Sequence, residues 1–440
     1  MYEIENKSLA QISEDLKNKV VTATELVEIY FKQIEFYSSY PNNLNAVISL
    51  NSEARNQAQQ IDGDFSNGII KSPLQGLPIL VKDNIDVAGL PTTAGVLALK
   101  DFKVSQDAEI IRQFKEAGVI ILGKTNLSEF AHFKSDNEPS GFSVVGGQTK
   151  NPTFPDWTTS GSSSGSAVAA VVNLASFTIG TETNGSILSP AHMNQVFGLK
   201  PTLNKWSQVG ILPLAHSQDV AGPMTRTAED LAFIWSSLYS SETAETAITK
   251  ATYFDFSDNN PIASYLYKTT TESATIDYEK FVPSTEFNDD DELTVILYEF
   301  KHDLDDYFKM HGSELSLEKI VDFNNQDRDQ RAPFGQELLE QALATGGDLS
   351  HPRYANALTS VKDYSTSVLI AALKDVQVTV SFDAQVIGLA AMAGYPSISI
   401  PMGILGDYVT GGPTSIFATA KPDDEISLIQ FAQQIKGEHK

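Results

Sequence analysis

The stretch Leu77-Pro-Ile-Leu-Val-Lys82 is a short apolar run that ends in a lysine, and it opens the part of the chain that decides the fold. Two more apolar runs follow, Val119-Ile-Ile-Leu122 and Phe177-Thr-Ile179, and segments with helical spacing occupy 110–117 and 165–175. Short apolar strands that alternate with helices are typical of a sheet covered on both faces. The sequence therefore predicts an α/β fold, a single large domain with a mixed β-sheet core covered by helices on both faces.

The domain divides into four consecutive parts with different residue patterns: an N-terminal helical cover (8–61), a core of alternating strands and helices (77–235), a variable surface excursion (240–292) and the remainder of the sheet and helices (293–440). Thr22 and Glu25 have the spacing of a helix capping box. The acidic run Asp289–Glu292 is expected to be a solvated loop, and Leu293-Thr-Val-Ile-Leu-Tyr298 a strand that follows it. The stretch 424–436 is expected to close the chain as a helix.

Composition excludes several classes of protein. The 440 residues include no cysteine, so disulfides, a cysteine nucleophile and thiolate metal sites are excluded. With 31 Lys+Arg against 56 Asp+Glu the net charge is −25, which argues against a nucleic-acid partner because that role needs a basic face. The polar N-terminus and the absence of a long apolar run predict no membrane partner and a cytoplasmic protein. The histidine spacing predicts no metal site, and nothing indicates the oligomeric state.

A nucleotide-binding motif is mimicked by Gly118-Val-Ile-Ile-Leu-Gly-Lys-Thr125, which satisfies the Walker A pattern. That motif needs a flexible loop between its glycines, whose N–H groups surround a phosphate. Here the intervening residues are Val, Ile, Ile and Leu, which form the strand itself. The preferred interpretation is a buried strand that ends in a Gly-Lys-Thr-Asn turn.

Two further serine motifs are interpreted as coincidences. Gly161-Ser-Ser-Ser-Gly165 matches the nucleophile elbow of α/β-hydrolases, with Ser163 as the nucleophile, but a proline-broken loop at 151–157 stands where the elbow needs a strand. None of the downstream histidines has a recognisable triad context. Ser316-Leu-Glu-Lys319 fits S-x-x-K but lies in a charged helical pattern, which favours a surface position.

A third set of residues fits acyl-transfer chemistry better. Lys82 ends a buried strand, where a lysine is either paired or neutral, and a neutral lysine is a competent general base. Ser162 lies in the Gly-Ser run, and Ser186 lies in Gly180-Thr-Glu-Thr-Asn-Gly-Ser186. Small residues around Ser186 allow successive backbone N–H groups to point at one anion. These are the parts of such a site: a base, a relay hydroxyl, a nucleophile and an oxyanion hole.

Taken in order, these segments resemble the amidase signature family, whose Ser-Ser-Lys triad runs through a glycine–serine loop and a G-T-D-T-G-G-S-I-type segment. Three more blocks resemble the family: Gly123–Phe130, Phe197–Thr202 and Asp219–Thr227. Four later segments are most similar to the peptide-amidase-like branch: Leu297–Leu304, Val321–Asn325, Phe334–Glu337 and Ala393–Met402.

The resemblance implies a role for each site residue. Ser186 would be the nucleophile, and Ser162, which follows a cis peptide bond in family members, would relay its proton to Lys82. Ser163 would be a supporting hydrogen-bond partner. The backbone N–H groups of four residues would hold the oxyanion: Thr183, Asn184, Gly185 and Ser186. No metal or organic cofactor is implied.

Three positions near the proposed nucleophile depart from the family pattern. Asn184 stands where a glycine is usual, Glu182 replaces an aspartate, and Leu188 replaces a common arginine. The expected activity is hydrolysis of a carboxamide C–N bond in a small-molecule or peptide amide, with peptide amides or amino-acid amides as candidates. Two alternatives stay open: the amidase subunit of a tRNA-dependent amidotransferase, and a catalytically silent binding protein on the same scaffold.

Overall fold

The computed structural model describes residues 2–39, 41, 43–239, 247–254, 276–283, 289–382, 384–405 and 412–437. Within these residues the helices are α1 Leu9–Lys17, α2 Ala23–Ser38, α3 Ala54–Ser66, α4 Glu109–Glu116, α5 Ser164–Val171, α6 Leu188–Asn194, α7 Ala228–Leu238, α8 Asp289–Met310, α9 Leu317–Asn325, α10 Arg328–Arg331, α11 Glu337–Ala344, α12 Pro352–Ala372, α13 Gln385–Ala393 and α14 Glu425–Lys436.

The strands are β1 Val47–Leu50, β2 Pro78–Lys82, β3 Ile120–Thr125, β4 Phe142–Ser143, β5 Gly147–Gln148, β6 Thr178–Glu182, β7 Phe197–Lys200, β8 Val220–Thr225, β9 Lys250–Phe254, β10 Asp277–Phe281, β11 Val378–Ser381, β12 Ser397–Leu405 and β13 Gly412–Ala420. Short 3-10 turns occupy Leu97–Leu99 and Glu129–Ala131.

Eleven strands form one mixed sheet in the order β1-β3-β2-β6-β8-β7-β12-β13-β11-β9-β10. The strand β2 runs parallel to both β3 and β6, so their carboxyl ends meet at one edge of the sheet. The residues of β2, β3 and β6 are all buried, as expected for strands covered on both faces. The single α/β domain with a mixed sheet that the sequence predicts is confirmed, and its division into four parts stays a prediction.

The N-terminal helices begin where local sequence signals place them. Ser8 caps α1 and Thr22 caps α2, and each forms a capping box with the residue three positions later, Gln11 and Glu25. The apolar faces of these helices join the main hydrophobic core. This part of the chain also contains β1, which pairs antiparallel with β3 and was not predicted from sequence.

Two predictions for the region around residue 290 are wrong. Residues 293–298 lie inside the 22-residue helix α8, and the acidic run 289–292 forms its first turn instead of a solvated loop. Acidic residues are favoured in the first turn of a helix by its dipole, which the loop interpretation ignored. The run is apolar because the first half of α8 packs against two hydrophobic clusters, one that contains Val295 and another that contains Phe300 and Leu304.

Two smaller predictions have mixed outcomes. The described parts of 240–292 contribute β9 and β10 to one edge of the sheet, and the rest of that stretch lies outside the described residues. The C-terminal helix is confirmed as α14. Within the part of the chain that the structure describes, no helix combines the length and the apolar character needed to cross a membrane.

Candidate active site

Lys82 is the last residue of β2, and its side chain has no solvent exposure. Its Nζ donates hydrogen bonds to Ser162 Oγ at 2.7 Å, Thr181 Oγ1 at 2.9 Å and the Thr181 carbonyl oxygen at 3.2 Å. Burial lowers the pKa of Lys82 to about 7, and the negative charges of Asp219 and Glu182 oppose that shift. A substantial fraction of this amine is therefore neutral near pH 7 and can accept a proton.

Ser162 lies in the loop that leads into α5, fully buried, and the peptide bond between Gly161 and Ser162 is cis. The Ser162 carbonyl accepts a hydrogen bond from the N–H of Ser128 at 3.1 Å. A Cβ atom at Gly161 would lie 2.5 Å from Ser128 Oγ, so only glycine fits at this close approach. The loop thereby presents the Ser162 hydroxyl directly to Lys82.

Ser186 lies in the short connection between β6 and α6 and is 7% exposed. The N–H of Ser163 donates to the Ser186 carbonyl oxygen at 3.1 Å, which ties the Ser186 segment to the loop that contains Ser162. The left-handed backbone in this segment belongs to Gly185, with φ 83°, and not to Asn184. Asn184 thus replaces a glycine without adopting the backbone conformation that glycine favours.

Glu182 fixes the backbone that follows Ser186 through hydrogen bonds. Its Oε2 accepts the N–H groups of Ile187 at 2.7 Å and Leu188 at 2.9 Å. Burial raises the pKa of Glu182, while the charge of Lys200 and the N–H groups of Leu188, Ile187 and Gly185 act in the opposite direction. Since the Gly185 N–H is drawn toward this carboxylate, the N–H groups of Thr183, Asn184 and Ser186 are the better-placed candidates to hold an oxyanion.

Ser163 holds the backbone of the strand beside Lys82. Its Oγ donates to the Thr181 carbonyl at 2.9 Å and accepts the Thr181 N–H at 3.1 Å. These contacts fit a supporting role, and they point the hydroxyl at main-chain groups instead of at a histidine. The hydrolase-elbow interpretation of Ser163 therefore finds no support in the geometry.

Sequence reasoning assigned no role to Thr181 or to Asp219. The Thr181 hydroxyl accepts from both Lys82 and Asn84 Nδ2, the latter at 3.0 Å. Asp219 accepts from Thr183 Oγ1 at 2.6 Å, burial raises its pKa to about 7, and it borders a surface cavity of about 910 Å³. Its position at the start of the family-like block Asp219–Thr227 was the available signal, but only the fold shows which groups it touches.

The two remaining motifs have structural roles. Lys124 lies inside β3, fully buried, and its Nζ is 3.1 Å from Asp83 Oδ1, so the Walker-like stretch is a strand as predicted. The strand continues through Thr125, which corrects the turn expected there. Ser316 caps α9 through the Lys319 N–H, and the Lys319 side chain is 55% exposed, as the surface interpretation predicted.

One cluster in the described part of the chain has the composition of a metal site. His216, Glu299 and Asp303 have potential ligand atoms within 4.8 Å of one another. Protein donors already engage this cluster: Glu299 accepts from the Ser217 N–H and from the Tyr354 hydroxyl. A hydrogen bond to Asp303 raises the pKa of His216, which favours a protonated imidazole over a metal ligand.

Comparison with known proteins agrees with this geometry. The family model described as Amidase matches residues 25–269. A probable amidase of Arabidopsis thaliana is 32% identical over 98% of this chain and 90% of its own length. The crystal structure of the peptide amidase from Stenotrophomonas maltophilia has a TM-score of 0.88 and 32% identity, and covers 99% of this chain and 97% of that one. One component of the glutamyl-tRNA(Gln) amidotransferase of Bacillus cytotoxicus is 40% identical over 52% of this chain and 45% of its own length.

The fold and these similarities define an amide hydrolase. The chain belongs to the amidase signature family. The resemblance to the peptide-amidase-like branch that the sequence suggested is confirmed, because the similarity to that solved peptide amidase extends over both whole chains.

Proposed function

We propose that this amidase cleaves the C–N bond of a carboxamide through an acyl-enzyme on Ser186, with Ser162 and Lys82 as the proton relay. The observation that carries the proposal is the 2.7 Å distance between Lys82 Nζ and Ser162 Oγ in a fully buried setting, where the lysine pKa is lowered to about 7, so that the neutral amine can accept the Ser162 proton. A base whose pKa lies near the working pH is the most effective at proton transfer.

In the first half-reaction, Ser186 Oγ attacks the carbonyl carbon while its proton passes to Ser162 Oγ, and the Ser162 proton passes to Lys82 Nζ. The C–O bond forms, and the negative charge on the carbonyl oxygen is held by the backbone N–H groups of Thr183, Asn184 and Ser186. Collapse of this intermediate breaks the C–N bond. The proton on Lys82 returns through Ser162 to the departing nitrogen, which leaves as ammonia or an amine.

In the second half-reaction, water attacks the ester carbonyl of the acyl-enzyme and loses its proton along the same relay. The Ser186 oxygen is released and takes the proton back, so the carboxylic acid product leaves and the enzyme is regenerated. The balance requires only amide and water. All proton transfers use groups of this chain.

Peptide amides and amino-acid amides are the proposed substrates. Support comes from the similarity to the peptide amidase of S. maltophilia and to the peptide amidase PAM, whose structure was determined in complex with the competitive inhibitor chymostatin. A small-molecule or peptide partner is therefore proposed in preference to a nucleic acid, in line with the net charge of −25. The amidotransferase role is the second candidate, because the 40% identity to a component of such an enzyme spans half of the chain.

The test replaces the proposed nucleophile. Ser186→Ala should lower turnover of primary amides and peptide amides by at least about 10⁴-fold, since a nucleophile acts as a unit with its base. Release of ammonia or amine is measured, together with labelling by a fluorophosphonate. Ser316→Ala, which removes a hydroxyl far along the chain at the start of α9, is the matched control and should keep full turnover.

Wild-type-like turnover by Ser186→Ala would contradict the proposed nucleophile. Wild-type turnover that requires added partner subunits and glutamine would favour the amidotransferase role. No turnover and no fluorophosphonate labelling of the wild type would favour the silent scaffold.

A further inference from the structure

Glu292 reaches the Ser186 segment from a distant part of the sequence. It lies in the first turn of α8, half-buried, and its carboxylate accepts two hydrogen bonds from Asn184 Nδ2, at 2.9 and 3.1 Å. Gln218 Nε2 donates to Glu292 Oε1 at 2.8 Å. One carboxylate thus holds two amide side chains that border the oxyanion segment, and we call these three residues the amide clamp.

Gln218 passes this restraint to the main chain. Its Nε2 also donates to the Thr183 carbonyl oxygen at 3.4 Å, so both amide hydrogens have acceptors. A peptide group is planar, and its C=O and N–H point in opposite directions. Fixing the Thr183 carbonyl therefore also fixes the direction of the Asn184 N–H, one of the groups proposed to hold the oxyanion.

Asn184 supplies the second restraint on the same peptide. Its side chain is exposed at the surface of the site and is turned toward Glu292. A Cβ atom at Gly388 of α13 would lie 3.4 Å from Asn184 Nδ2, so α13 bounds the side chain on another side. A glycine at position 184 would have no side chain to donate to Glu292. The asparagine that stands there instead of the usual glycine therefore adds a contact.

The charge of Glu292 suits this role. It lies near the N-terminus of a 22-residue helix, where the dipole favours a negative charge. Hydrogen bonds to an ionised acceptor are stronger than those between neutral groups. An ionised carboxylate can therefore hold both amides in one orientation throughout the reaction.

We propose that Glu292 is a positioning residue, which acts through Asn184 and Gln218 to preorganise the oxyanion-binding backbone. The inference rests on the proposed role of Ser186 and its neighbouring N–H groups. It also gives one residue of the acidic run 289–292 a role other than solvation, because Glu292 contacts the site while Asp290 is exposed. A preorganised donor matters most where charge develops, so the effect is expected on the chemical step.

The experiment measures kcat and KM for one neutral and one cationic peptide amide. Glu292→Ala should lower kcat about 10–100-fold for both substrates and leave KM within about threefold, because transition-state stabilisation is lost and ground-state binding is not. Glu292→Gln keeps one acceptor oxygen and should recover kcat to within about fivefold of wild type. Glu314→Ala, which removes a carboxylate that is 98% exposed, is the control for loss of charge.

The mediating residues provide the decisive comparison. In a background with both Asn184→Ala and Gln218→Ala, the further change Glu292→Ala should alter kcat less than twofold, because residues that act through one another are not additive. Thermal unfolding of each variant separates this effect from loss of folded protein.

Three outcomes would overturn the inference. The first is a change in kcat below threefold in Glu292→Ala while the wild type turns over amides normally. The second is that Glu292→Ala lowers kcat by the same factor in the Asn184→Ala/Gln218→Ala background as in the wild type. The third is a rise in KM confined to the cationic substrate, which would make Glu292 a substrate contact. Absence of both turnover and fluorophosphonate labelling in the wild type would instead overturn the proposed function, and this inference with it.

Discussion

Lys82 and Lys124 lie on neighbouring parallel strands, and both side chains have no solvent exposure. Lys124 Nζ is 3.1 Å from Asp83 Oδ1, so its charge has a direct counter-ion. Lys82 is surrounded by hydroxyl and carbonyl oxygens, and within the described part of the chain no carboxylate oxygen lies within 4 Å of its Nζ. The pKa of Lys82 is lowered to about 7 because burial outweighs the more distant Asp219 and Glu182.

The different contacts of the two Nζ atoms show that two neighbouring strands can contain buried lysines with different roles. Lys124 forms a buried ion pair with Asp83, whereas Lys82, which lies among neutral acceptors, has a lowered pKa and can act as a base. Both side chains are fully buried near the carboxyl ends of their strands, although Lys82 is paired with Thr125 and Lys124 with Val81. The group in contact with the Nζ atom decides which lysine can act as a base.

The largest expected effect comes from removing the base. Lys82→Met should lower kcat/KM by about 10³-fold or more, since general-base catalysis contributes about 10²–10⁴-fold. The free energy of unfolding of this variant should exceed that of the wild type by about 1–3 kcal/mol at pH 7. Burying the amine costs more free energy than its hydrogen bonds contribute, and methionine removes both. Amide turnover and urea denaturation measure the two effects, and an active Lys82→Met would remove the distinction between the lysines.

Lys124→Met should have the opposite pattern. It leaves Asp83 buried without its counter-ion, which should lower the free energy of unfolding by about 3–5 kcal/mol. The fraction that remains folded should keep its kcat. Urea denaturation of Lys124→Met beside the double variant Lys124→Met/Asp83→Asn tests the pairing, because neutralising the aspartate should restore part of the loss. Equal stability of the single and double variants would contradict it.

The smallest expected effect is on the pH profile. The neutral form of Lys82 is the active one, so kcat/KM should fall about tenfold per pH unit below about 7 and level off above it. Asp219→Asn removes a group whose negative charge raises the pKa of Lys82. Because burial raises the pKa of Asp219 itself to about 7, that charge is present mainly above pH 7, so the limb should move only slightly, to lower pH. A limb that moves to higher pH would contradict the assignment.

The difference in the free energy of unfolding between the wild type and Lys82→Met should also depend on pH, and proton linkage gives its sign. The folded-state pKa of Lys82 is about 7 and its ordinary value is 10.5, so the unfolded chain binds more protons between these values. Wild-type stability should therefore rise relative to Lys82→Met as pH increases from about 7 to 10.5. Below pH 7 the advantage of Lys82→Met should be constant.

Sequence patterns predicted much of the framework. Alternation of apolar runs and helical segments indicated β2, β3 and β6 with the helices between them, and the Thr22–Glu25 capping box located the start of α2. The prediction failed where a short run is compatible with both a strand and a helix. The run 293–298 was assigned to a strand because a short, mostly apolar run does not distinguish a buried strand from a buried segment of a helix.

The candidate site was predicted residue by residue only where a motif was present. Lys82 contacts Ser162, the Ser163 N–H donates to the Ser186 carbonyl oxygen, and the catalytic roles of these residues remain proposals. Thr181 was missed because it lies inside strand β6, where a threonine is common and gives no sign of a role in the site. Glu292 was missed because acidic runs at the surface are usually solvated, and no local signal relates it to a segment more than a hundred residues away.

The sequence alone determined the α/β class, the family and the residue types available for chemistry, because strand and helix periods and short ordered motifs are local properties. Only the tertiary structure decided which buried lysine has a carboxylate beside it and which has hydroxyls. Only the tertiary structure also brought Glu292 to Asn184 and Gln218. The reason is physical: a pKa and a hydrogen-bond partner depend on the groups within a few ångströms in space, and these groups come from strands and helices that are far apart in the chain.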